Sequence, residues 1–408
     1  MDLQPRGHEA VRRLIDKGVR IPHPLSIDIG DDVDTDRIAG GGVTLWPGCR
    51  IHGARTVISA GCTLGAEGPV TLSDCRLGPN VELKGGSFKH SVFLDKANMG
   101  PGAQIREGCL LEEEANGAHC VGLKQTILFP FVTLGSLINF CDCLMAGGTS
   151  RADHSEVGSS YVHFNYTPDG DKTTASLFGD VSRGVMLDQP PIFLGGQGGA
   201  VGPVRVGYGT VVAAGSVLLD DVLEDGQLVA AVPPPGFKRD RRPRTYRSLA
   251  RIVRNNVLYL ANLTALEQWY RTVREPFFAG QELGPLVYEG ALEMLSLARK
   301  ERVKRLVAMA GKVPDVTPGG REFAERAESL CALFTGGSDV PADEKFVSAV
   351  RSTGGNYLET IQGLPPDVRR VGVEWLERII SSLCESADAV AGTMNLFDRQ
   401  REVVLGEE

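Results

Sequence analysis

Residues 159–173 read SSYVHFNYTPDGDKT, which sets an amide (Asn165), a phenol (Tyr166) and an ammonium (Lys172) within eight residues. The imidazole of His163 and a Pro-Asp-Gly turn lie alongside. Lys172, and Lys84 further back, are candidate contacts for a phosphate or hydroxyl, whereas a lone lysine is more often a solvated surface residue. Asn165 and Tyr166 have a bland reading too, since asparagine often completes turns and tyrosine packs one face while its hydroxyl meets water. Histidine suits proton transfer because its unperturbed pKa, about 6.5, lies near working pH. His90, His154 and His163 are the candidates, against the alternative of turn histidines satisfied by hydrogen bonds.

The elements around these residues follow two different periods. Fifty of the 408 residues are glycine, about 12% against a usual share near 7%, which calls for many tight turns. Between about 25 and 235, aliphatic residues recur six apart. Val206, Val212 and Leu218 mark one run; Leu45 with Ile51, Ile58 with Leu64, Met99 with Ile105 and Leu111, and Val121 with Ile127 mark others. Neither a helix nor an alternating strand has period six, but the hexapeptide coil of a parallel β-helix does. Each unit buries too little by itself, so the units must stack as a solenoid. Roughly ten coils at about 4.8 Å each give a prism about 50 Å long. A β-sandwich would need longer strands alternating at period two. The period breaks at 112–120, 148–156 and 167–200, which predicts loops. The acidic LEEEANG (111–117) reads as a solvated insertion, and the glycine-rich PPIFLGGQGGAVGP (190–203) as a flexible surface loop without the lysine of a phosphate cradle.

From about 244 the period becomes helical, with Leu249, Ile252, Val253, Val257, Leu260, Leu263 and Leu266 on one face. The expected organisation is a lead-in helix (1–24), a mainly β, left-handed parallel β-helix domain (25–235), a basic linker (236–248) and an all-α domain (249–408). Seven Lys or Arg face a single Asp between Lys238 and Arg251. That run reads as a solvated linker, an anion clamp for cofactor phosphates or a nucleic-acid patch.

A formal net charge of −8 argues against a general nucleic-acid binder. No apolar run is long enough to span a bilayer and the N-terminus lacks a signal-peptide core, so a cytoplasmic protein without membrane attachment is expected. Nine scattered cysteines favour reduced thiols. Cys141 and Cys143 form a CxC with no partner pair to complete a zinc site, so no metal is expected.

Four segments carry a resemblance to a known family: LIDKGVRIPHPLSIDIGDDVDTD, VELKGGSFKHSVFLDKANMG, VHFNYTPDGDKT and VRVGYGTVVAAGSVLLDDV. Over about residues 10–235 they resemble the acetyltransferase half of the bacterial bifunctional N-acetylglucosamine-1-phosphate uridyltransferase and glucosamine-1-phosphate acetyltransferase. That resemblance implies a left-handed β-helix, a homotrimer, and acetyl transfer from acetyl-CoA to an amino-sugar phosphate or a nucleotide-linked amino sugar. It implies His90 as general base, with His154 as the rival, and Lys84, Asn165, Tyr166 and Lys172 as substrate contacts. Ala213, Ala214 and Gly215 would leave room for the pantetheine arm, although any β-helix corner also favours small residues. Donors for the tetrahedral oxyanion and cations for the sugar phosphate complete the requirement.

The pattern also departs from the family's. The Asn-Tyr loop carries one extra residue. His90 precedes Asn165 by 75 residues, about four coils, where the family has little more than one. A shorter-spaced match, INFCDCLMAGGTSRADHSEVG, has Phe140 where the histidine would stand, with His154 nearby. No nucleotidyltransferase half opens the chain, so no uridyltransferase activity is expected. The competing functional reading is a non-catalytic sugar-nucleotide or interaction module on the same prism, or a purely structural trimer.

Overall fold

The computed structural model describes residues 5–397 except 165–168, 171, 233, 234, 239, 242, 245, 247 and 314–316. After helix α1 (His8–Asp16) the chain winds into coils of three short strands. The first face stacks ten strands in parallel, from Thr44–Leu45 and Thr63–Leu64 to Val211–Val212 and Leu228–Val229. The second face runs from Asp28–Ile29 and Arg50–His52 to Gly199–Val201 and Val217–Leu218. The third runs from Val57–Ile58 and Arg76–Leu77 to Ser176–Phe178 and Arg205–Val206. Two longer strands, Gly122–Leu128 and Asn139–Met145, turn the edge and serve both of these faces. The architecture is a left-handed parallel β-helix.

The six-residue period has a direct physical cause. Leu45, Leu64, Leu83, Met99, Leu134, Val157, Leu194 and Val212 are buried and stack in register up the first face. Gly117 takes the same inward position, and Met99 fills its place: a Cβ on Gly117 would lie 2.4 Å from the Met99 sulfur. The other residues that mark the period, Ile51, Ile58, Ile105, Leu111, Val121, Ile127, Val206 and Leu218, are likewise buried. Between faces the chain turns through left-handed backbone. His90 and Asp142 hold such positions between the second and third faces (φ 44° and 57°). Lys96 and Glu114 do so between third and first, and Gln197 and Gly215 between first and second.

These ladders correct two expectations. The segment 112–120 is no insertion: Asn98 pairs with Asn116 in regular register. Nor is 190–203 a flexible loop, because Phe193–Leu194 and Gly199–Val201 are strands of a regular coil with Gln197 at its corner. Irregular segments do leave the prism at the antiparallel pair Gly148–Ser150 and Asp153–His154, and around helix α2 (Val181–Gly184).

Beyond the prism come α3 (Leu249–Trp269), a π-helical turn (Tyr270–Arg274), α4 (Glu275–Ala279), α5 (Gly284–Ala310), α6 (Gly320–Ala332), α7 (Glu344–Ser352), α8 (Tyr357–Gln362) and α9 (Pro366–Ala391). Helices α3 and α5 lie on the third face, and one apolar core runs through both halves, joining Val92 and Leu110 to Val287, Ala291 and Leu295. Gly290 permits the close approach, since a Cβ there would come within 2.5 Å of Arg76. Helix α3 is sandwiched between the third face, α5 and α9, so it is buried well beyond the single apolar face read from its sequence. Its polar residues are used at the contact. Asn256 Nδ2 donates to Thr173 O (3.0 Å), and Asn262 Oδ1 accepts from the Val181 amide (2.9 Å).

Candidate functional site

The two halves meet along the edge between the second and third faces, and this edge holds several of the candidate residues. Helix α5 runs beside it. At one level His90 Nε2 lies 2.9 Å from Glu293 Oε1, and the same carboxylate takes Arg55 (2.6 Å) and Arg76 (3.0 Å). Three coils higher, Arg302 reaches Asp142 at 2.5 Å. Nine residues of α5 rise about 13.5 Å, and three coil steps span about 14.4 Å. The near-match of these pitches lets one helix address successive corners.

Lys172 stands one coil beyond Asp142 on the same edge, where Arg302 Nη1 donates to its carbonyl (2.7 Å). The preceding turn is tied down as well. Asp169 accepts from Arg241 (2.6 Å) and from the Arg244 amide (2.8 Å), and Lys312 donates to the carbonyls of Asp169 and Gly170. Asn165 and Tyr166 fall outside the described residues. The edge therefore carries His90 and the Lys172 loop together, but four coil steps apart, about 19 Å at the usual strand spacing. The structure does not bring them into one pocket.

The remaining candidates lie elsewhere. Lys84 follows a first-face strand at the edge toward the second face, where it pairs with Glu67 (3.0 Å). His154 sits on the antiparallel excursion, with Nδ1 2.9 Å from Arg151 O and Nε2 3.8 Å from Glu156. His163 is buried in the prism between Cys141 O (2.6 Å) and Ser176 Oγ (2.7 Å). Burial lowers its pKa to about 4, so it is neutral at working pH and fixed inside the coil. Phe140 packs beside it in an aromatic cluster with Tyr161 and Phe178. Ala213, Ala214 and Gly215 form the corner between the first and second faces of a C-terminal coil. Stacking accounts for the small size of this corner's neighbour, because a Cβ on Gly195 would lie 2.3 Å from the Ala214 nitrogen. Gly215 itself is left-handed (φ 77°), with open space where a Cβ would be.

One basic-linker cation, Arg241, is engaged by Asp169, and beyond the linker Arg251 lies beside Asp221, which Arg254 and Asn255 also contact. Among the described residues no three His, Cys, Asp or Glu side chains are grouped as a metal site would require.

A second site was not visible in the sequence. Glu112 and Glu113, read above as solvated, are both more than nine-tenths buried beneath the helical half. Arg274, from the π-helical turn, pairs with Glu113 and lies 3.8 Å from Glu112, while Tyr270 donates to Glu112 (2.5 Å). Tyr270 and Arg274 are four apart, so they share a helical side. The guanidinium also lies over the Tyr357 ring at 3.7 Å. Burial pushes the Glu112 carboxyl up to about 7, against the lowering effect of Arg274. Beside this cluster a cleft of about 680 Å³ opens between the coil corners, the 149–151 excursion and the starts of α4 and α8. The signal that could have revealed it is the triple glutamate itself, at the regular spacing of a corner rather than within an insertion.

No family model matches the chain. Among curated proteins it is similar to the bifunctional protein GlmU of Trichlorobacter lovleyi, 29% identical over 202 residues, covering 49% of this chain and 39% of the relative. GlmU of Clavibacter sepedonicus is 30% identical over 241 residues (58% of this chain, 43% of the relative), and that of Thermotoga petrophila 27% over 213 residues (52% and 42%). Among solved structures, LpxA from Acinetobacter baumannii shares 14% identity over 69% of this chain and 95% of that chain, at a TM-score of 0.19, a likeness too weak to carry weight. The chain thus spans about two fifths of the curated relatives it matches, and over about half its own length it is similar to GlmU.

Proposed function

We propose that the chain is a hexapeptide-repeat acyltransferase that moves an acetyl group from acetyl-CoA to the amine of an amino-sugar phosphate or nucleotide-linked amino sugar. The observation that carries this reading is the similarity to GlmU over the β-helix, together with a Lys172 loop clamped in place by Arg302, Arg241 and Lys312. In this reading Lys172 and Lys84 meet substrate charge, and Asn165 and Tyr166 orient the sugar. The open corner at Ala213, Ala214 and Gly215 takes the pantetheine arm. His90 and His154 are the candidate bases. The working unit is a homotrimer. Its support is two apolar columns pointing outward: Phe193, Val211 and Leu228 on the first face, and Phe164, Val201 and Leu219 on the second. The third face is not free for assembly, since the chain's own helices lie on it.

A second reading, a non-catalytic sugar-nucleotide-binding module, is favoured by one observation: His90 is tied to Glu293 four coils from Lys172. Thiol release from acetyl-CoA with glucosamine 1-phosphate separates the two. Catalysis predicts turnover that His90→Ala or His154→Ala cuts by about 10² to 10⁴. A silent wild type that binds UDP-sugars, with binding lost in Lys172→Ala, would establish the module instead.

A further inference from the structure

We infer that the second face, at the level of His90, is a binding site for the diphosphate of a nucleotide-linked sugar, held by Lys89, Arg106 and Lys124. The choice of a sugar acceptor rests on the acyl-transfer reading above; the diphosphate site does not, and binding alone tests it.

The register puts the three cations in one column. Ser73 pairs with Lys89 and Lys124 with Cys141, while Ile105 pairs with Phe88 and Leu123, so Arg106 lies between the two lysines. All three point outward, because Phe88, Ile105 and Leu123 are the buried residues of these strands. Strand spacing sets them about 4.8 Å apart, in a row about 10 Å long. Like charges opposite one another on a sheet are unfavourable, and the chain as a whole carries a formal charge of −8. Nearby carboxylates do not neutralise the row. Glu107 pairs with Lys124 at 2.6 Å, but Lys89 is exposed and has no ion pair among the described residues. Arg106 Nη2 donates to the Cys141 sulfur at 3.7 Å, a thiol that burial keeps protonated, so it brings no counter-charge. At the adjoining edge Glu293 is taken by Arg55, Arg76 and His90, and Asp142 by Arg302. An extended anion of two or more charges meets this demand, and arginine and lysine are suited to phosphate.

Gly122 is an independent pointer. It stands between Gln104 and Asn139 in the neighbouring outward column. A Cβ there would meet nothing closer than Ile138 O at 3.6 Å, so packing does not require glycine. Gly199, higher in the same column, is different, since its Cβ would lie 2.8 Å from Val162 O. A strand glycine that its own neighbours do not require marks a place where a ligand comes close to the backbone. The resulting recess lies beside Arg106 and Lys124, with the amides of Gln104 and Asn139 at its ends. The row also lies at the level of His90, which follows Lys89 at the corner, whereas the Lys172 loop stands four coil steps away. Above it the cation column turns apolar, as Phe164, Val201 and Leu219, so the site begins where the proposed assembly surface ends.

The test is calorimetric titration of the full chain with UDP, uridine, glucosamine 1-phosphate and coenzyme A. UDP is expected to bind, and uridine, which lacks the phosphates, to bind at least about tenfold more weakly. Arg106→Gln removes one charge from an exposed side chain and is expected to weaken UDP binding by about tenfold or more. Gly122→Val fills the recess with every cation in place, and should weaken UDP binding as well. UDP binding that Lys172→Ala abolishes and Arg106→Gln leaves intact places the diphosphate at the other loop and overturns the inference. Glucosamine 1-phosphate binding as tightly as UDP overturns the assignment to a diphosphate. Coenzyme A binding that is sensitive to Arg106→Gln where UDP binding is not gives the row to the acyl donor and overturns the acceptor. If Arg106→Gln leaves UDP affinity unchanged but lowers the mass found by light scattering, the row pairs with a second copy of the chain and the inference falls. No UDP binding at millimolar concentration overturns it too. UDP binding lost in Arg106→Gln, with no thiol release from acetyl-CoA in wild type, supports the site and refutes the acyl-transfer reading alone.

Discussion

The two edges that border the third face are closed in opposite ways. Between the second and third faces, α5 runs along the prism and pairs with successive corners, Glu293 with His90 and Arg302 with Asp142. Between the third and first faces, a single arginine from a π-helical turn meets two buried glutamates, and the walls part into a cleft. At the first edge carboxylates and cations are interleaved. At the second, two glutamates share one guanidinium, and Glu113 Oε2 and Arg274 Nε and Nη1 have no hydrogen-bond partner among the described residues. Matched pitch gives a seam; a single contact point gives a cleft beside it.

The sharpest way to break this contrast is to remove the arginine of the buried cluster. Arg274→Ala leaves Glu112 and Glu113 buried without their partner and is expected to cost about 3 to 5 kcal/mol, read from denaturant unfolding. If the loss is below about 1 kcal/mol, the glutamates have found water or protons and the cluster does not secure the helical half. The seam should behave differently. Arg302→Met combined with Asp142→Leu replaces a buried pair by apolar groups of similar size, a change often near neutral, but it also removes the donor to the Lys172 carbonyl, so a loss of about 1 kcal/mol is expected. Each single substitution should be clearly destabilising.

The next effect is a pH dependence. With its folded pKa raised to about 7, Glu112 binds its proton more tightly in the native state than in the unfolded chain. Its contribution to stability is present below the unfolded value, about 4.3, and is lost as pH rises through about 7. Glu112→Gln should therefore flatten the decline, gaining on wild type as pH goes from 5 to 8. His163, lowered to about 4, works in the opposite sense: its contribution is lost as pH falls from its unfolded value near 6.5 toward 4. A wild-type profile unchanged by Glu112→Gln would show that the carboxyl is ionised throughout. The smallest effect is expected at Lys84, a partly exposed ion pair with Glu67. Lys84→Ala should change stability by no more than about 1 kcal/mol.

Much of the prism was legible because its period has one cause. Each six-residue unit needs one aliphatic side chain inside, and Val206, Val212 and Leu218 announce this without any knowledge of neighbours. What was not legible depends on where the helices land. LEEEANG looked solvated because glutamates are rarely buried unless paired. The partner, Arg274, lies some 160 residues further along the chain, and nothing local links them. In the same way, His90 was picked out by the residues around it, and only the docked α5 shows that Glu293 holds its imidazole. The roles of Asn256 and Asn262 on α3 likewise depend on the docked partner: they bond the Thr173 carbonyl and the Val181 amide, far away in the chain.

The agreement of pitch along α5 has a consequence for how this chain can change. Solenoids commonly lengthen or shorten by whole repeats, because each repeat contacts only its neighbours. Here the helix acts as a ruler laid against the coils. One extra coil between His90 and Asp142 would slide every later corner by about 4.8 Å, equivalent to about three residues of α5. Arg302 would then face the wrong level, and the clamp on the Lys172 carbonyl would go with it. Gain or loss of a coil within this stretch would need a matching change in α5, so the spacing of two distant segments is bound to vary together or not at all.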